Sequence, residues 1–203
     1  MRVRKTFKFE AAHRLLRCAT ERCQGIHGHS YKVEIILNGD AERILKSDSV
    51  STGMVIDFGV IKSVVGSFID KFDHSLVLSI HDPLVVKVDF PNANQDNFLQ
   101  AYTIRDLHML NPRWILVPYN PTAEMMAAHI FWYASRALAG KGPFYTEGVR
   151  VHETESGYAE SSGGIGEIDW EQTIWSKALR GEEGSAEDGE ATGGGCDGCS
   201  DCQ

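Results

Sequence analysis

Two histidines separated by one glycine, His27-Gly28-His29, are the first residues whose types and spacing could do chemistry. On a β-strand, residues two apart project from the same face, so both imidazoles stand side by side. Gly28 between them allows a close backbone approach or an unusual dihedral. A third histidine, His13, ends the alternating stretch that runs through Phe7, Phe9 and Ala11. If the two strands pair through the intervening loop, the three rings converge. Three neutral imidazoles with one position left open make a catalytic zinc arrangement, whereas a structural site fills all four positions. The alternative is a set of strand histidines bonded to backbone carbonyls, with no metal.

Other residues could act on a substrate beside such an ion. Cys23 precedes His27 by four residues. A thiol in the positive field of a metal ion offers thiolate as base or nucleophile. Cys18, by contrast, reads as an inert, half-buried cysteine. In Asp73-His74 the carboxylate can fix the tautomer of the imidazole, although the same dipeptide also occurs as a surface pair. Glu124 stands near a helix start, where the dipole favours an acid. Glu153 alternates with Val149 and Val151, which puts it on the apolar side of a strand. A carboxylate there needs a partner, such as an amidine-like N–H pair on a heterocycle.

The elements that must position these residues follow from hydrophobic period. Phe7, Phe9 and Ala11 alternate with polar neighbours, as do Tyr31, Val33, Ile35 and Leu37, and both stretches read as half-buried strands. The second ends at the turn signal Asn38-Gly39-Asp40. Residues 53–58 form a third strand candidate. Apolar residues at helical spacing predict an amphipathic helix over 58–71. Pro121-Thr122-Ala123-Glu124 reads as a helix start, with the helix running to Leu138 before Gly140. A further strand starts at Val149. Between 75 and 119 the reading is turns, a short helix over 98–110 and a strand over 114–117. Residues 168–179 could be a small helix or strand.

Composition sets the outer limits. The chain has 203 residues, 42% hydrophobic and 24% charged, with a net charge of -8. That is enough for one domain with a core, over 1–180, in the α+β class. Seven of the acids lie in 181–203, where there is no Lys or Arg, so the body is close to neutral. Nothing in it suggests a nucleic-acid surface, which needs clustered cations. No apolar run suits a membrane span, and no leader-like segment precedes the first strand. Five cysteines then read as reduced thiols of a cytoplasmic protein. The stretch 181–203 is rich in Gly, Glu and Asp and is expected to be a disordered, solvated extension. Its Cys196, Cys199 and Cys202 are one short of a four-thiolate site.

Taken in order, Phe9-Glu10-Ala11-Ala12-His13-Arg14-Leu15, Cys23-x-x-x-His27-Gly28-His29-Ser30-Tyr31, Gly53-Met54-Val55-Ile56-Asp57-Phe58, Asp73-His74, Asn120-Pro121-Thr122-Ala123-Glu124 and Glu153-Thr154 resemble one family. It is the 6-pyruvoyl-tetrahydropterin synthase family, and the resemblance is greatest to its bacterial queuosine-pathway branch, 6-carboxy-tetrahydropterin synthase. The resemblance implies a tunnelling fold, a four-stranded antiparallel sheet with two helices on one face, assembled into a homohexameric ring with sites shared between subunits. It implies zinc on His13, His27 and His29, with Cys23 as proton acceptor and Asp73 and His74 completing a relay. Glu153 would anchor the pterin ring through its N–H edge and join the relay; Thr122 and Glu124 would lie at the pterin pocket. The implied reaction converts 7,8-dihydroneopterin triphosphate to 6-carboxy-5,6,7,8-tetrahydropterin, releasing acetaldehyde and triphosphate, a step toward 7-deazaguanines. The alternatives are the 6-pyruvoyl synthase reaction, which keeps the side chain, and metal or pterin binding without turnover. Two features depart from the family pattern: an insertion over about 78–119, and the chain beyond Tyr158 with its three terminal cysteines.

Overall fold

The computed structural model describes residues 1–18, 20–46, 53–85, 108–163, 166, 168–176 and 179. Strands β1 (Arg2–His13) and β2 (His27–Gly39) are long; β1 alternates throughout, and β2 alternates as far as Ile35 before the apolar run Ile35-Ile36-Leu37. They pair antiparallel along their whole length, from Arg2 opposite Asn38 to His13 opposite His27. A one-turn helix α1 (Glu21–Gln24) lies between them, and α2 (Ala41–Leu45) follows β2 with Asp40 as its cap. Gly28 is where the two backbones come closest, since a Cβ there would stand 3.3 Å from the Ala11 carbonyl oxygen.

Two longer helices cover one face of the sheet, as the sequence predicts. Helix α3 (Phe58–Ile69) starts at Asp57, whose carboxylate accepts the Gly59 N–H at 2.6 Å. Helix α4 (Ala123–Leu138) starts at Thr122, whose hydroxyl accepts the Met125 N–H, and the chain turns away at Gly140, where φ is +73°. Ile61, Val65 and Ile69 from α3 and Met126, Ile130 and Ala134 from α4 pack on Phe9, Tyr31, Val33, Ile35 and Val149. Burial of side chains this size contributes roughly 1.5–3 kcal/mol each before the entropy of ordering. The other face carries alternating polar residues, with Glu34 among Arg4, Lys32, Arg150 and His152.

The sheet is larger than a four-stranded antiparallel one. Among the described residues it has seven strands, in the order β6-β5-β2-β1-β3-β4-β7, and it is mixed. Strands β5 (Phe144–His152) and β6 (Tyr158–Ser161) extend the antiparallel half. On the other side, β3 (Ser75–Ser79) runs parallel to β1, β4 (Trp114–Val117) runs parallel to β3, and β7 (Ile174–Trp175) closes the edge antiparallel. Every residue of β3 and β4 is buried. Strands covered on both faces lose the alternation that marks half-buried ones, so β3 carries no strand signal in the sequence, whereas β4 coincides with the strand expected over 114–117. The ends of the expected insertion are therefore sheet; its residues 86–107 lie outside the described ones, as does 181–203.

The strand expected over 53–58 is not formed. Gly53 turns with φ of +95°, Asp57 caps α3, and Val55 plugs the sheet end, its methyls where a Cβ on Gly39 would stand. Its alternation records a plug and a cap rather than a pleat. The expected helix over 98–110 falls mostly outside the described residues, and 108–110 are helical. No helix among the described residues is long and apolar enough to cross a membrane.

Candidate metal centre and pocket

The register of β1 on β2 decides which rings meet. His13 pairs with His27 and Ala11 with His29, so all three imidazoles leave the helix-covered face at one end of the sheet. One ring nitrogen from each lies within 4.8 Å of the others. Two of the rings are fixed from behind. His13 Nδ1 donates to the Pro121 carbonyl at 2.8 Å, and His27 Nδ1 donates to the Gly25 carbonyl at 2.9 Å. Both Nε2 atoms therefore present lone pairs, and they stand only 3.2 Å apart.

Two facing lone pairs repel unless a cation lies beside them. A proton is a poor candidate, because burial and the neighbouring His27 hold His13 below the usual imidazole value, outweighing the Pro121 carbonyl and Glu153. A metal ion suits the geometry: three nitrogen donors, two already oriented by backbone acceptors. These residues fit a divalent ion. Tyr31 stacks on Phe9 beneath the rings, with its hydroxyl 3.4 Å from both nitrogens of His13. Burial and the nearby Glu153 push its phenol well above the usual value, so it stays protonated.

Glu153 lies one residue beyond β5 with its side chain 30% exposed, and it projects to the same side as Val149 and Val151, where Tyr31 and the imidazoles stand. Its Oε1 stands 3.6 Å from His13 Nε2 and 3.9 Å from His29 Nε2. The same carboxylate lines a hollow of about 370 Å³ with Thr122, Glu124, Leu15 and Tyr158. Glu153 thus joins the imidazoles to the hollow, and Thr122 and Glu124 open onto it from the start of α4.

Cys23 sits on α1, between the strand ends that carry His13 and His27. Its carbonyl accepts the Leu15 N–H at 2.8 Å and its sulfur accepts the Thr20 hydroxyl at 3.0 Å. Asn120 clamps the same loop from the α4 side, accepting the Leu16 N–H at 2.8 Å and donating to the Leu16 carbonyl at 3.1 Å. Arg14 reaches the fully buried Asp82 at 3.3 Å, which ties the residues after β3 to the end of β1.

Asp73 and His74 are not brought to the imidazoles. Among the described residues no contact joins His74 to Cys23, His13 or His27. Asp73 accepts the Glu10 N–H at 2.9 Å, and the His74 N–H donates to the Glu10 carbonyl at 2.6 Å. The two side chains are 3.7 Å apart, with His74 77% exposed and its φ at +54°. His74 borders a second hollow of about 380 Å³, with Glu10, His29, Ser30 and Asn111. Arg113 donates to the Asp73 and Asp70 carbonyls, each at 2.9 Å, and Asn111 donates to the His74 carbonyl at 3.1 Å. Sequence reading missed Tyr31, Asn120, Asn111 and Arg113 as site residues. The last two sit beside Pro112, where a turn is the only local signal.

Comparison with known proteins agrees with this architecture. A crystal structure of an uncharacterized protein from Wolinella succinogenes superposes with a TM-score of 0.60 at 20% identity, covering 80% of this chain and 98% of that one. A 6-pyruvoyl tetrahydropterin synthase from Plasmodium vivax superposes at 0.52 with 18% identity, over 81% and 99% of the two chains. These likenesses show the fold. The sequence model described as 6-pyruvoyl tetrahydropterin synthase matches residues 2–163. The chain belongs to the 6-pyruvoyl tetrahydropterin synthase family of enzymes. Among curated relatives, a Helicobacter pylori protein named 6-carboxy-5,6,7,8-tetrahydropterin synthase is 29% identical over 168 residues, 79% of this chain and 72% of that one. A Rickettsia typhi protein of the same name is 30% identical over 75% of this chain and 93% of its own.

Proposed function

We propose that this chain is a zinc-dependent lyase converting 7,8-dihydroneopterin triphosphate to 6-carboxy-5,6,7,8-tetrahydropterin, with release of acetaldehyde and triphosphate. The observation that carries the reading is Glu153, which stands at once beside the three converging imidazoles and in the hollow at the start of α4. The shared name of the curated relatives supports the choice of product.

His13, His27 and His29 would hold the ion, and zinc bound there would supply Lewis acidity toward the side-chain hydroxyls of the substrate. Glu153 binds the N–H edge of the pterin, and its charge fixes which edge enters the hollow first. Thr122 and Glu124 border the ring from the other side. Cys23 thiolate takes a proton from the side chain of the substrate. His74, oriented by Asp73, shuttles a proton on the opposite face. Because His74 borders the other hollow of its own chain, the pair serves a neighbouring copy in a homo-oligomer, with a hexameric ring as the expected form. Residues 1–180 form the working domain, and the enzyme works in the cytoplasm.

Incubating zinc-loaded protein with dihydroneopterin triphosphate and identifying the product by mass spectrometry tests the reading. The 6-carboxy product with acetaldehyde supports it. A product that keeps the side chain overturns it in favour of the 6-pyruvoyl reaction, and binding without turnover removes the enzymatic reading of the site.

A further inference from the structure

The loop that carries Cys23 holds a second thiol that the proposed reaction does not use. Cys18 lies five residues earlier, and the two sulfurs share one hydroxyl. Thr20 Oγ1 donates to Cys23 Sγ at 3.0 Å and stands 3.7 Å from Cys18 Sγ. Gln24 Nε2 donates to the Cys18 carbonyl at 2.8 Å, which folds the residues around Cys18 back onto the turn that bears Cys23. Both cysteines are half-buried, so each sulfur can be approached from solvent.

The element between them yields easily. Helix α1 is one turn long, buries no residue and has no side-chain hydrogen bond at its N-cap. Moving Cys23 toward Cys18 therefore displaces the Thr20 hydroxyl and opens a single turn, without disturbing the core. The short loop and the shared hydroxyl put the sulfurs on one oxygen atom, and the backbone shift that opens α1 is what closes the remaining gap to disulfide geometry.

We infer that Cys18 and Cys23 are a redox pair, with Cys18 the resolving thiol for Cys23 oxidised by a hydroperoxide. Cys23 sulfur attacks the peroxide, an S–O bond forms as the O–O bond breaks, and water leaves. The Cys18 sulfur then attacks the Cys23 sulfur, the S–S bond replaces the S–O bond, and a second water carries off the remaining proton. The two thiols together lose two electrons, and hydrogen peroxide is reduced to two waters. Resting on the proposed role of Cys23 as base, the bridge switches turnover off and shields that sulfur from irreversible oxidation.

The sequence supplies a direct readout. Trypsin cuts after Arg17, Arg22 and Lys32, so the two thiols fall on separate peptides, 18–22 and 23–32. Full-length zinc-loaded protein is treated with hydrogen peroxide, the remaining thiols are alkylated, and the digest is mapped by mass spectrometry. The expected result is a linked 18–22/23–32 pair that disappears on reduction, with full recovery of activity by dithiothreitol. In Cys18→Ser the expected result is sulfinic or sulfonic acid on Cys23, and an activity loss that dithiothreitol does not recover. Absence of the linked pair, or equal recovery in Cys18→Ser, overturns the redox pair. A linked pair that forms with turnover unchanged leaves the pair standing and removes Cys23 from the reaction.

Discussion

His13 and His27 meet ring to ring across the β1–β2 pair, Nε2 to Nε2 at 3.2 Å, with each Nδ1 held by a carbonyl. His29 completes the set from the same strand as His27. Replacing His29 by Ala leaves two donors and should remove most bound zinc and nearly all activity. Metal content of the purified variant, measured beside its turnover, checks this; full zinc occupancy would dismiss His29 as a ligand.

Cys23 presents its sulfur to the Thr20 hydroxyl and holds its loop through its backbone carbonyl, which survives substitution. Cys23→Ala should therefore keep zinc and fold while the rate falls about 10²- to 10⁴-fold. Single-turnover kinetics with metal analysis separates the two effects. A wild-type rate would show that another group takes the proton.

His129 offers a test of the core by pH. It is buried against Trp170, shares a 2.8 Å hydrogen bond with Tyr119, and desolvation pushes it down to about 3. The unfolded chain binds its proton near 6.5 and the folded chain does not, so stability is complete above that value. It declines as pH falls through the interval and is fully lost near 3. His129→Gln keeps a polar partner for Tyr119 and does not titrate. The dependence of its unfolding free energy on pH should be shallower by about 1.4 kcal/mol per pH unit between those limits. Urea unfolding at several pH values measures it, and identical slopes would refute it.

The acidic stretch 181–203 has almost no apolar side chains to offset the entropy of ordering it. A chain ending at Arg180 should keep its zinc and its specific activity. A large loss of either, measured beside the full chain, would show that Cys196, Cys199 or Cys202 supplies a ligand or an assembly contact.

Much of the centre was legible because strand alternation carries two kinds of information at once. The period that buries Phe9 and Tyr31 also sends His13, His27 and His29 to one face, so a correct strand reading brings them together. Helices α3 and α4 were legible for the same reason, each with an apolar stripe and a capping residue. Strand β4 was legible as the apolar run over 114–117, whereas β3 was not, being buried on both sides without alternation, and nothing local marked the parallel pairing of the two. The Val149-Val151 alternation carries on to Glu153 and sets its side, although β5 ends at His152 and leaves the carboxylate partly exposed. Asn120 and Arg113 act on backbone carbonyls distant in sequence, and no local pattern marks such partners.

The two hollows have a genetic consequence. A copy disabled at His29 retains His74 and its neighbour Asp73, and a copy disabled at His74 retains its imidazoles. If copies complete one another's sites, mixing these two dead variants under conditions that exchange subunits should regenerate some live sites. Neither variant alone would do so. Complementation between alleles is then expected of this enzyme, and its failure after verified exchange would confine each site to one chain.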